Sequence, residues 1–73
     1  MIDSRPPYYP NLEAEISRNG FLKRDIAKAV GISERHFLEK LTGNTDFWWK
    51  EALRIQTFFP NTSLTELFYH PED

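Results

Sequence analysis

The three glycines of this 73-residue chain fall at positions 20, 31 and 43, and each closes a short stretch of helical periodicity. Glycine takes the left-handed conformation at a helix C′ position without a Cβ penalty, so a glycine just past a periodic stretch is a stop signal. A chain punctuated this closely folds into short helices packed on one another. No stretch alternates apolar and polar residues long enough to predict a strand.

The spacing predicts five helices. The first runs over 12–19, with Asn11 as N-cap and Leu12 and Ile16 inward. The second runs over 23–30 and buries Ile26, Ala27 and Val30. Ser33 caps the third, over 34–42, with Phe37 and Leu41 inward and Ile32 placed to staple onto Phe37. The fourth runs over 47–58, capped by Thr45 or Asp46, with Ala52, Ile55 and Phe59 or Phe58 inward, and Pro60-Asn61 breaks it. Ser63 and Glu66 form an S-x-x-E capping box for a last helix carrying Leu64, Leu67 and Phe68, which Pro71 stops. Pro6, Pro7 and Pro10 surround Tyr8 and Tyr9, and read as an extended, mobile arm over 1–10. The division is therefore an arm over 1–10, one domain over 11–70 and a tail over 71–73.

Without cysteine no disulfide or thiolate metal site can staple so small a domain, so packing must hold it, and the chain suits a reducing, cytoplasmic compartment. Hydrophobic residues at 40% and aromatics at 15% supply that packing. The longest aromatic run, Phe47-Trp48-Trp49, is far short of the roughly 20 apolar residues that span a bilayer, and no leader pattern is expected at the N-terminus. The net charge of −2 excludes a simple polycation. It conceals an asymmetry, because residues 18–54 carry eight basic against five acidic groups while both ends are acidic.

The most informative segment is Ile26-Ala27-x3-Gly31-Ile32-Ser33-x3-Phe37-x3-Leu41. A small residue inside one helix, a glycine four later and an apolar residue six after that suit a helix-turn-helix. Ala27 admits the next helix, Gly31 takes the turn, and Phe37 locks the second helix across the first. A generic helical bundle with glycine stops is the competing reading.

At these residues the chain resembles a family. Tyr9-Pro10-Asn11-Leu12, Asp25-Ile26-Ala27, Gly31-Ile32-Ser33-Glu34, Lys40-Leu41-x-Gly43, Lys50-Glu51-Ala52-Leu53-Arg54-Ile55 and Phe58-Phe59-Pro60-Asn61-x-Ser63-Leu64-x-x-Leu67-Phe68 are similar to small Cro/repressor-type (XRE-like) regulators of Gram-positive phages and prophages. The resemblance covers about residues 8–69. It implies an all-α, five-helix, lambda-repressor-like domain, operator DNA as partner with a homodimer allowed, and a place in a lysis–lysogeny switch.

The departures bear on function as much as the matches. The family usually opens its second helix with a Thr cap and Gln, where this chain has Leu22 and Lys23. It usually opens its fourth with Thr-x-x-Glu, where this chain has Trp48-Trp49-Lys50-Glu51. Both helix starts in that fold usually face the DNA backbone, where polar caps and free N–H groups meet phosphate.

With Phe37 and Leu41 inward, Arg35, Glu39 and Thr42 point outward from the third helix, flanked by His36 and Leu38. Read as a DNA binder, the chain offers Lys23, Arg24, Ser33, Arg35, His36, Glu39, Lys40 and Asn44. Arg35 would take guanine O6/N7, and the lysines phosphate. The bland alternative makes Arg35 and Glu39 a solvated i,i+4 ion pair. Read as an antirepressor that docks on a repressor's DNA-binding domain, it offers Leu22, Glu34, Glu39, Trp48 and Trp49, although Trp49 sits where the family usually has a core Leu. Ser33, His36 and Asp46 make a nucleophilic site only on paper, since all three read as cap or surface residues. No catalytic residue, metal, cofactor, membrane or small-molecule substrate is expected.

Overall fold

Pro10 opens the first helix. The structure is a computed structural model and describes residues 7–71, so residues 1–6 of the expected arm and 72–73 of the expected tail lie outside the described residues. The helices are α1 (Pro10–Asn19), α2 (Lys23–Val30), α3 (Glu34–Leu41), α4 (Trp49–Gln56) and α5 (Leu64–Leu67), and the described residues contain no strand.

Helix α1 begins two residues before the expected Leu12, because proline at N1 has a preset φ and lacks only an N–H that would be orphaned there. Asn11 is therefore inside the helix, and its Nδ2 donates to the Glu66 carbonyl at 2.8 Å, tying α1 to α5. Helix α2 has its expected bounds. Its end is a Schellman turn: Gly31 sits at φ 94°, and the Ile32 N–H reaches the Ala27 carbonyl at 3.0 Å. Arg54 adds a donor there, with Nη1 3.0 Å from the Val30 carbonyl. Helix α3 starts as expected, with the Ser33 hydroxyl accepting the His36 N–H at 3.1 Å, and Thr42 becomes its C-cap.

The start of α4 differs from the periodicity. Phe47 was expected inside the helix with Thr45 or Asp46 as cap, but Trp48 is the N-cap. Indole has no acceptor, so only the backward half of a capping box forms, with the Trp48 N–H donating to Glu51 Oε1 at 2.9 Å. Phe47 lies before the helix and turns inward, edge-on to Phe37 at 5.8 Å and Phe68 at 5.4 Å between ring centroids.

Helix α2 packs on α3 and α4, α4 on α5, and α5 on α1. Leu12, Ile16, Ile26, Ala27, Val30, Phe37, Leu41, Ala52, Ile55 and Leu67 are buried, six of them (Leu12, Ile26, Phe37, Leu41, Ile55 and Leu67) almost completely, while Leu64 and Phe68 of the last helix are half-buried. Phe59 takes the inward place and Phe58 packs partly outside it. Tyr9 joins the core, contrary to the extended arm expected over 1–10. The neighbouring Tyr8 ring stacks on His70 with centroids 3.6 Å apart, and His70 Nδ1 lies 3.1 Å from the Tyr8 carbonyl oxygen. Burial, and then the charges of Tyr8 and Asp46, raise the Tyr9 phenol above its ordinary value of 10.0. No helix among the described residues is long and apolar enough to cross a membrane.

Candidate functional site

Because Phe37 and Leu41 turn α3 inward, its opposite face is left to solvent. Glu34, Arg35, Leu38, Glu39 and Thr42 line a shallow groove along it. Arg35 Nε stands 3.8 Å from Glu39 Oε2, with the arginine side chain 87% exposed. That distance is beyond a hydrogen bond, and a solvated pair of this kind contributes only ~0.3–0.5 kcal/mol. Ser33 is committed to capping through its Oγ, while the His36 side chain is exposed on the first turn.

Beside this face, the loop into α4 carries Trp48. The residue is 70% exposed, since the N-cap leaves its side chain outside the helix while Phe47 packs against the core. His36, Glu39, Lys40, Thr45, Asp46 and Trp48 line an open hollow of about 550 Å³ between α3 and this loop. Glu39 borders both the groove and the hollow, so the two are neighbours on this side of α3.

Lys40 is the cation that builds the hollow. Its Nζ donates to Glu51 Oε1 at 2.9 Å and to the Asp46 carbonyl at 3.0 Å, and its side chain is only 12% exposed. The sequence reading placed Lys40 among phosphate contacts. The structure instead turns its ammonium inward, because Glu51, already anchored at the α4 start, is its nearest counter-charge. Lys23 is also engaged, 3.0 Å from Glu13 Oε1. Arg24 and Asn44 are exposed.

Leu22 is the N-cap of α2, is 51% exposed and makes no side-chain cap. Trp49, which the family position suggested as core, is 69% exposed with Lys50 Nζ 5.7 Å from its ring centroid. The reason is spatial: Phe47 already occupies the aromatic seat beside Phe37, and N1 of α4 points elsewhere. Trp49 lines neither the groove nor the hollow, so Trp48 alone of the two indoles joins the α3 residues.

Thr45 and Asp46, alternative caps by periodicity, line the hollow instead. The signal that would have found them is the register of α4: with Trp48 as cap, Thr45 and Asp46 fall in the loop beside it. No protein-family model, curated protein or solved structure matches the chain.

Proposed function

We propose that this chain is a small regulator of helix-turn-helix type, with α2 and α3 as the motif, that binds the DNA-binding domain of a repressor and blocks its operator contacts. One observation carries the reading: Trp48 stands exposed at the α4 start and lines one hollow with Glu39 and Asp46, while Lys40 is turned away from solvent. A phosphate wall would meet carboxylates and an indole there, and each carboxylate without a donor is a cost against a polyanion. The DNA-reading face of a repressor has the opposite character, being basic with apolar stems, and it complements such a surface. Trp48 supplies a large, rigid anchor, and the carboxylates form its rim.

Operator DNA is the second reading. It is favoured by the exposure of Arg24, Arg35, His36 and Asn44 on and around α3. The two separate on a binding experiment with the repressor encoded at the same locus and with duplex DNA from that locus. The first reading expects a stoichiometric complex with the repressor at micromolar concentration or below, weakened about 30-fold by Trp48→Ala, the loss of a typical hot spot. A sequence-selective shift of duplex DNA by this chain alone, with no repressor complex, would instead establish operator binding.

A further inference from the structure

We infer that the hollow between α3 and Trp48 is a seat for one arginine side chain of a protein partner. This deepens the repressor-binding reading and rests on it. The lining fixes the chemistry. Trp48, largely exposed, lines one side, and the acidic residues Glu39 and Asp46 line the same hollow. The cation that could neutralise them from within, Lys40, is held by Glu51 and by the Asp46 backbone carbonyl. The remaining cation in contact, Arg35, meets Glu39 only at 3.8 Å from an exposed side chain that solvent or a partner displaces. The hollow therefore offers negative charge beside an aromatic plane.

A guanidinium answers both features at once. It stacks flat on indole, and its forked N–H groups each reach a carboxylate oxygen. A lysine ammonium satisfies the charge but lacks the plane and the fork, and it holds its water more tightly. A phosphate is repelled by both carboxylates. The seat is also preorganised. Lys40 pins the loop at Asp46, Glu51 pins the Trp48 backbone, and Phe47 anchors the same loop in the core. Little order remains to be imposed when a side chain enters.

The test uses the full ¹⁵N-labelled chain titrated with acetyl-Gly-Arg-Gly-amide, with the matched lysine peptide, and with inorganic phosphate. The seat requires a saturable shift of the Trp48 indole N–H together with the Thr45 and Asp46 amides, while the Trp49 indole stays in place. It requires the arginine peptide to bind at least about threefold more tightly than the lysine peptide. Glu39→Gln and Asp46→Asn should each weaken it at least about threefold with thermal melting close to that of the parent, since Asp46 is exposed and Glu39 is half-exposed with only a solvated pair to Arg35. A linear response, equal movement of both indoles, equal affinity for the two peptides, or preference for phosphate overturns the seat. The same two variants assayed against the repressor keep the two claims apart. A repressor complex that needs Trp48 but ignores Glu39→Gln and Asp46→Asn removes the seat and leaves the proposed function standing. Arginine selectivity in the hollow with no repressor complex keeps the seat and removes that function.

Discussion

Lys40 shows how far a single residue's role depends on its neighbours. By type and by position on a helix with an outward basic residue, it reads as a phosphate contact. In the fold it is the inner strut of the α3–α4 corner, bonded to Glu51 at 2.9 Å. Replacing it with alanine strands the Glu51 carboxylate, which is itself largely enclosed, and should cost ~1–3 kcal/mol in chemical denaturation. A Lys40→Ala protein as stable as the parent would remove the strut. Phe37 makes the matching case in the core. It is fully sealed and meets Phe47 edge-on, so Phe37→Ala should cost ~3–5 kcal/mol, a large part of a small domain's stability. Trp48 is the opposite kind of aromatic: with its indole in solvent, Trp48→Ala should leave the denaturation midpoint close to that of the parent.

At the scale of the elements, the helix ends tell where sequence reading is reliable. The stops of α1, α2 and α3 were legible because a glycine at φ above zero ends each one. The starts were legible where a hydroxyl caps, as at Ser33 and Ser63. Of the three starts with no side-chain cap, that of α2 was legible and those at Pro10 and Trp49 were missed, the latter because periodicity alone does not say whether Phe47 enters the core from a helix or from a loop. The glycines also differ in what surrounds them. Gly20 has open space where a Cβ would stand, while at Gly43 a Cβ would run into the Tyr8 ring. Both have positive φ, so alanine at either should cost ~1–2 kcal/mol of backbone strain. Gly43→Ala should cost clearly more than Gly20→Ala, because it must also displace Tyr8 from His70. Equal losses for the two variants would mean that the Tyr8 contact contributes nothing.

Across the whole molecule, the two ends of the described chain meet over the α3–α4 corner. Tyr8 stacks on His70 and covers Gly43, and Tyr9 packs near Phe47 and Phe68. This was illegible in the sequence, where three prolines suggest an arm; the order comes from long-range aromatic packing. The same distinction applies to the site. Glu39 and Trp48 were legible as outward-facing residues, but their meeting with Asp46 in one hollow depends on how the loop is tied down.

Tyr9 gives this assembly a pH dependence. Its phenol is raised above 10.0 in the fold, so the neutral form is favoured there. Its contribution is complete below the unfolded value, and declines from about pH 10 upward as pH rises through the folded value. Alkaline titration of stability should show that decline in the parent and a smaller one in Tyr9→Phe; identical curves would exclude Tyr9 as the cause.

The function proposed above has this surface compete with operator DNA for a repressor. It is tested most directly by adding the chain to a preformed complex of the repressor with fluorescently labelled operator and following anisotropy. Anisotropy should fall to that of free operator as the chain approaches stoichiometry with the repressor, and Trp48→Ala should require about 30-fold more protein. Anisotropy that holds, or that rises because this chain joins the DNA itself, would contradict it.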